Sequence, residues 1–305
     1  MVREIHINGR RIADDEPALV VAEIGNNHGG SLDKALRLIQ LAVESGAHAV
    51  KFQKRDMRYW MNVDPTAWAR EYNSEHSYGR TYGEHRAYLE FGESEYRTCK
   101  QFAEDRGLIF FATAFDIPSL DFLFNLDVPA IKVASASITN YRLLEAIALT
   151  GIPAIMSTGG ATMSVVERAV DMFTGHKRPA ILNCTSIYPC EAKDLNLKAI
   201  ETLRDRFPEH VIGQSDHQSG IAMGPVAVAM GARIIEKHFC ERRTDKGSDC
   251  VFSLEPAGLK KLCRDIRRVH EAMGDGEKRL LEEEIPALIK QGRADLKLTE
   301  GVVKS

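Results

Sequence analysis

Short apolar runs recur along the chain: ALVVAEIG, HAVKFQK, LIFFATAF, PAIKVASA, PAIMSTGG, PAILNCTS, HVIGQSDH and RIIEKHFC. They are rich in β-branched residues, and most segments between them carry a helical period, the alternation expected of parallel βα units. One helix is predicted over residues 31–46, with Ser31 as N-cap and Gly46 past its end. Another is bounded by Ser164 and Gly175. Helices built around LNLKAIETLRDRF and PAGLKKLCRDIRRVHEAMG complete the pattern after the sixth and eighth runs. Eight such units in roughly 250 residues predict a single-domain α/β fold, a (β/α)8 TIM barrel over residues 1–275.

One segment interrupts the alternation. Residues 55–93 far exceed the usual βα loop of about 2–6 residues and are crowded with aromatic and charged side chains. Following the second strand, this excursion is expected over the catalytic face as a lid or substrate wall. Residues 276–305 read as a charged tail too short for a core of its own.

Composition narrows the function classes. A net charge of −3, with both signs interspersed, gives no footprint for nucleic acid. The opening MVREIHINGRRI lacks the apolar core of a signal peptide, and no run approaches the roughly 18 apolar residues of a membrane span. A cytoplasmic protein acting on small molecules is expected. Its six cysteines show no CxxC or zinc-finger spacing and are expected as reduced thiols.

Polar residues gather at the C-terminal ends of the runs, which in a barrel converge on one mouth. They are Glu23, Lys51, Gln53, Thr113, Lys132, Ser135, Ser157, Thr158, Thr185, Ser186, Ser215, Asp216, His217, Glu236, Lys237 and His238. Lys51 and Lys132 lie inside apolar strands, where an unpaired charge costs several kcal/mol, so an anion is expected to meet them. The hydroxyls of Thr113, Ser135, Ser157, Ser186 and Ser215 suit carboxylate or phosphate oxygens. A phosphorylated carboxylate satisfies the set; the competing reading pairs each lysine with a neighbouring glutamate. His217 and His238, on successive strands, can reach one divalent metal, and Mn²⁺, Fe²⁺, Co²⁺ and Zn²⁺ all fit. His28, in NNHGG, is a candidate substrate contact, and Glu23 a general base or an ion-pair partner of a lysine. The GNNHGG and STGG loops are only loosely phosphate-loop-like. Asp216 alternates with its neighbours and is expected to point away from the mouth.

The ordered series AEIGNNHGG, AVKFQK, IKVAS, STGG, CTSIYP, GQSDH, EKHF and KGSDCVFSL resembles the sialic acid (N-acetylneuraminate) synthase family over roughly residues 17–275. The resemblance implies condensation of phosphoenolpyruvate with a sugar aldehyde, usually an N-acyl hexosamine, giving a nonulosonic acid and phosphate. It implies a divalent metal, typically Mn²⁺, on His217 and His238, polarising the aldehyde while the enol carbon attacks. It assigns Lys51, Thr113, Lys132, Ser135, Ser157 and Ser215 to phosphoenolpyruvate, and Glu23, Gln53, Tyr188 and Asp249 to the sugar and the reacting water.

Three departures stand out. Ser137 occupies the place of a sugar-binding glutamate, which points to an acceptor other than plain N-acetylmannosamine. Ser186 replaces an asparagine. At this length the C-terminal antifreeze-like domain of many members, which lends an arginine to the partner's site, is expected to be lacking, and the long excursion is expected to cover the site instead. Related enzymes are dimers, so a homodimer is an expectation. Two other readings stay open: an aldolase using Lys132 as a Schiff-base nucleophile, and a barrel without activity that binds sugars or regulates a partner.

Overall fold

The computed structural model describes residues 3–175 and 177–293. Eight parallel strands close into a barrel: β3 (Leu19–Gly25), β4 (Ala49–Lys54), β5 (Ile109–Ala114), β6 (Ile131–Val133), β7 (Ala154–Ser157), β8 (Ala180–Cys184), β9 (Ile212–Asp216) and β10 (Ile234–His238), with β10 pairing back onto β3. Each of the eight apolar runs supplies one strand, and the TIM-barrel fold is as the sequence leads one to expect.

Alternation along these strands separates two cores. Residues facing outward, such as Val20, Ala22, Val50, Phe110 and Ile235, pack with the surrounding helices. Residues facing inward, such as Leu19, Val21, Ala49, Phe111, Ile155, Leu182 and Ile234, fill the lumen. The lumen is tight enough that a Cβ at Gly213 would stand 2.5 Å from the Ile234 carbonyl oxygen, so only glycine fits there.

The N-terminal end of the lumen is closed by a hairpin absent from the sequence expectation. Strands β1 (Glu4–Ile7) and β2 (Arg10–Ala13) pair antiparallel, and Ile5, Ile7 and Ile12 join the inner core. Its turn, Asn8-Gly9, has φ of 49° and 75°, the doubly left-handed geometry of a type I′ turn.

Helix ends follow local chemistry. Helix Leu32–Ser45 is capped by the Ser31 side chain, which accepts from the Lys34 N–H, and by Gly46 at φ 81°. The helix expected between Ser164 and Gly175 spans Met163–Asp171 with Thr162 as its N-cap, because Ser164 already lies in the first turn. The chain divides into two compact units, Met1–His270 and Glu271–Ser305. In the second, the described residues form a helix at Ile285–Lys290.

The excursion is folded rather than a loop. It contains helices Met57–Val63, Pro65–Ala69 and Tyr82–Leu89, the last opened by a Thr81/Glu84 capping box. Trp60, Trp68, Tyr72, Tyr82 and His85 form a chain of ring contacts with centroids 4.7–6.1 Å apart. Hydrogen bonds anchor it to the barrel, among them Trp60 Nε1 donating to Asp116 at 2.8 Å, the Asp56 N–H donating to the same carboxylate at 3.0 Å, and Tyr78 OH donating to the Lys246 carbonyl at 2.8 Å.

Candidate active site

The inward parity that fills the lumen with Val21, Ala49, Phe111 and Ile234 continues upward as Glu23, Lys51, Thr113 and Glu236. At the C-terminal mouth a cavity of about 290 Å³ is lined by these four together with Gln53, Lys132, Ser135, Ser157, Cys184, Tyr188, Ser215, His217, His238 and Asp249. Larger hollows of about 670 and 720 Å³ lie elsewhere on the barrel but lack a comparable set of buried ionisable groups.

Four buried charges form the floor. Lys51 Nζ lies 2.8 Å from Glu23 Oε2 and 3.9 Å from Glu236 Oε1, and donates to Thr113 Oγ1 at 2.8 Å. Lys132 Nζ donates to Ser157 Oγ at 2.6 Å and to the Val133 carbonyl at 2.9 Å, with Glu236 Oε1 at 4.0 Å. Ser215 donates to Glu236 at 3.0 Å, and Gln53 Nε2 donates to Glu23 Oε1 at 2.8 Å. Burial lifts the Glu23 carboxyl to about 7, with Lys51 opposing and Glu236 adding to the rise. Burial also acts to raise Glu236, but Lys132 and Lys51 outweigh it and hold that carboxyl below its ordinary range. Lys132 is lowered by burial against the pull of Glu236.

This geometry corrects one step of the sequence argument. Burial of the two lysines does not by itself demand an external anion, because Glu23 and Glu236 stand beside them.

Beside the charges stand the imidazoles. His217 and His238 have ring centroids 5.4 Å apart, and Phe252 packs against His238 at 5.0 Å. His217 Nδ1 lies 2.8 Å from the Thr185 carbonyl, which can only accept, so Nδ1 carries a proton and Nε2 is the ring nitrogen left for another partner. His238 Nδ1 is buried without a hydrogen-bond partner, with Asp249 Oδ2 at 3.6 Å. Burial lowers the His238 pKa, against the opposing charge of Asp249. Tyr188, half exposed, lies over His217 at 4.2 Å.

Two candidates fall outside the cavity. His28 is buried between Phe52 and Phe91, with centroids at 5.8 and 4.1 Å, and its Nδ1 accepts from the Gly30 N–H. So packed, His28 does not line the cavity. Ser186 is exposed at the rim, where its hydroxyl and that of Ser135 crowd Gly159 closely enough to leave no room for a Cβ. Ser135 Oγ accepts from the Gly159 N–H at 3.0 Å. Ser137 is buried and does not line the cavity, unlike its neighbours Ser135 and Ala136. Asp216 points outward as expected and is paired with Lys237 at 2.6 Å.

Sequence reasoning placed Glu236 at the mouth without giving it a role and missed Cys184, Arg55, Arg86 and Phe115; all five line the cavity. Glu236 was legible by parity, two residues before His238. Arg86 was not, because it comes from the excursion.

A parallel barrel that concentrates buried lysines, carboxylates and paired imidazoles at its C-terminal mouth is an enzyme scaffold, and the hydroxyl row marks one that handles anions. The sequence matches the NeuB family over residues 38–278. Human N-acetylneuraminate-9-phosphate synthase is 39% identical over 299 residues, spanning 97% of this chain and 83% of that protein. The N,N'-diacetyllegionaminic acid synthase of Legionella pneumophila is 37% identical over 282 residues, covering 89% and 78% of the two chains. The crystal structure of N-acetylneuraminic acid (sialic acid) synthetase from Leptospira borgpetersenii, in complex with citrate, superposes with a TM-score of 0.80. It is 37% identical and covers 96% of this chain and 98% of that one. The chain belongs to the NeuB family and is a phosphoenolpyruvate-dependent, carbon–carbon bond-forming synthase of the sialic acid synthase type. No helix among the described residues is long and apolar enough to cross a membrane.

Proposed function

We propose that the enzyme condenses phosphoenolpyruvate with an aldehyde sugar, using a divalent metal at His217 and His238, to give a 3-deoxy-2-keto acid of the nonulosonic type and phosphate. The observation that carries this reading is the pair of lysines set about Glu236 at 3.9 and 4.0 Å, beneath hydroxyls and beside two imidazoles. Lys51 and Lys132 can exchange their carboxylate contacts for the carboxylate and phosphate of phosphoenolpyruvate, with Thr113, Ser135, Ser157 and Ser215 adding hydroxyl donors.

In this reaction the methylene carbon of the enol attacks the aldehyde carbon. The new bond takes the alkene electron pair, and the aldehyde oxygen takes up a proton. Water adds to the resulting cationic C2, and cleavage of the bond from C2 to the phosphate oxygen releases phosphate and leaves the ketone. Glu23 would accept the proton of that water, a role supported by its raised pKa and by the hydrogen bond from Gln53 to its carboxyl.

The donor set fits a metal. His217 offers Nε2 and His238 a buried, unpartnered nitrogen, with the Asp249 carboxylate nearby. Among the described residues no third His, Cys, Asp or Glu completes a cluster, so substrate and water oxygens would fill the remaining positions. Mn²⁺ suits such a mixed nitrogen and oxygen set and would supply Lewis-acid polarisation of the aldehyde.

Ser137 does not reach the cavity, so it does not by itself disfavour N-acetylmannosamine as acceptor. The depressed Lys132 keeps a Schiff-base aldolase as the second reading, and borohydride trapping with substrate separates the two. The deciding experiment incubates the enzyme, phosphoenolpyruvate and a panel of aldoses with and without Mn²⁺, following phosphate release and product mass. Metal-dependent release with a product heavier than the aldose by one pyruvate unit is expected. Absence of release across the panel and all metals would overturn the proposal.

A further inference from the structure

The hollow of about 720 Å³ lies at the opposite end of the barrel from the mouth, and its volume falls in the range of about 300–1,000 Å³ usual for ligand sites. Its place follows from two of its lining residues: Ala18 directly precedes β3 and His48 directly precedes β4. Pro17, Ala18, Val43 and Ile266 give it an apolar floor. The rim is basic. Leu259, Leu262 and Ile266 bury one face of helix Pro256–Met273, which leaves Lys260, Lys261, Arg264 and Arg267 along the hollow, and Arg10 at the start of β2 joins them.

These charges are largely uncompensated. Arg264 pairs with Asp265 at 2.7 Å, but among the described residues Arg10, Lys260, Lys261 and Arg267 form no ion pair. The only carboxylate of the lining is Glu44, which accepts from Gln40 at 2.9 Å. Exposed lysines need no partner; Arg10 is different, because it is half-buried and burial lowers its pKa from the ordinary arginine value. Glu16, the carboxylate that opposes this fall, is itself paired with Arg11 at 3.3 Å. A guanidinium drawn out of water without a counter-ion is costly, and its planar fork of donors matches a phosphate.

His48 adds a neutral donor. Its Nδ1 accepts from the Val20 N–H at 2.9 Å, and burial, with the Arg10 charge adding, pushes its pKa down to about 4. The ring is therefore neutral at physiological pH and carries its proton on Nε2. A ligand that satisfies the whole hollow carries phosphate for the rim and a flat, weakly polar body for the floor. Inorganic phosphate alone would leave the floor uncovered.

We propose that this hollow is a second binding site, which takes the phosphate chain of a nucleoside polyphosphate on Arg10, His48 and the helix cations and the nucleoside on the apolar floor. Five residues of extended chain, about 16 Å, separate Ala18 from Glu23, so the occupant is an effector and not a substrate. It sits beneath the two strands that carry Glu23 and Lys51. The inference is independent of the condensation reading.

The test is calorimetric, without added divalent metal and at saturating phosphoenolpyruvate. The enzyme is titrated with ATP, GTP, CTP and UTP in turn, and with inorganic pyrophosphate and uridine as the two halves of such a ligand. At least one triphosphate should bind at one equivalent per chain, on the order of tenfold or more tightly than either half. Arg10→Gln, and Lys261→Glu combined with Arg267→Glu, should each weaken it on the order of tenfold or more, whereas Lys132→Met at the mouth should leave it within about twofold. Arg10→Gln removes a charge that has no counter-ion, so its Tm without ligand should not fall; the triphosphate should raise the Tm of the wild type and not that of the variant.

Absence of binding by all four triphosphates overturns the inference. Pyrophosphate binding as tightly as the triphosphates does so too, because the floor would then have no part in recognition. Displacement by phosphoenolpyruvate, or loss of binding in Lys132→Met, would place the anion in the mouth instead, and unchanged affinity in both rim variants would remove the site outright. Lys261 and Arg267 are exposed, so their variant carries the test should Arg10→Gln fail to fold.

Discussion

Lys132→Met removes one cation from the floor while keeping the reach of the side chain. Its effect divides between stability and binding. The Lys132 Nζ lies 4.0 Å from Glu236 Oε1, an attraction of about 4 kcal/mol at an effective dielectric near 20. Opposing it is the desolvation of a buried ammonium, several kcal/mol in its own right, so the two nearly cancel in the ligand-free protein. What remains is the loss of the hydrogen bonds to Ser157 and Val133, about 1–3 kcal/mol of destabilisation. Binding behaves differently, because phosphoenolpyruvate loses a charge-assisted contact of about 1.5–3 kcal/mol, or roughly 10–150-fold in affinity. Urea denaturation measures the first effect and calorimetric titration with phosphoenolpyruvate the second. A folded variant that binds phosphoenolpyruvate within about threefold of the wild type would refute the assignment of Lys132 to the anion.

His217→Ala and His238→Ala should each abolish metal-dependent phosphate release while leaving the circular dichroism spectrum unchanged; full activity in either variant after chelation removes the proposed metal site. Glu23 has a folded-state pKa near 7, above the ordinary 4.5 of a glutamate, so its protonated form favours the folded state. That contribution is complete below about pH 4.5 and is lost as pH rises through about 7. Glu23→Gln should flatten this part of the stability profile in denaturant titrations, and an unchanged profile would rule out Glu23 as its source. Asp216→Asn leaves the buried Lys237 without its counter-charge and should cost about 3–5 kcal/mol in urea unfolding; a cost below about 1 kcal/mol would show that the pair contributes little.

The barrel was legible because its signal is repeated: eight apolar runs, each followed by polar residues, leave few other folds available. Much of the site was legible for the same reason, since Glu23, Lys51, Thr113, Ser215, His217 and His238 all sit at strand ends. Where the reading failed, strand parity or the third dimension was missing. Parity assigned Asp216 to the outer face but was not applied to β10, where it sets Glu236 and His238 on the cavity side and Lys237 against Asp216. His28 sits in a motif that looks like a substrate loop, yet its ring is taken up by Phe52 and Phe91, one of them far away in sequence. The hairpin at β1 and β2 carried a plain Asn-Gly signal between alternating apolar residues. Arg86 had no local signal at all, because the aromatic packing of the excursion decides where it points.

The floor also couples substrate binding to protonation. In the ligand-free enzyme Lys51 lies 2.8 Å from Glu23 and is the main influence opposing the rise of that carboxyl's pKa. On the proposed reading phosphoenolpyruvate draws Lys51 and Lys132 toward its own oxygens, which weakens that restraint and brings further negative charge near Glu23. Both changes move the Glu23 pKa upward from about 7. Binding near neutral pH should therefore be accompanied by proton uptake, which must later be reversed if Glu23 is to accept a proton from the reacting water. Departure of phosphate at the end of the cycle would restore the restraint. Titrations with phosphoenolpyruvate at pH 7 in buffers of different ionisation enthalpy measure the uptake directly. A fraction of a proton is expected for the wild type and none for Glu23→Gln. Uptake of the same size in that variant would transfer the coupling to another group of the floor, and no uptake in the wild type would mean that Lys51 keeps its contact with Glu23 when substrate is bound.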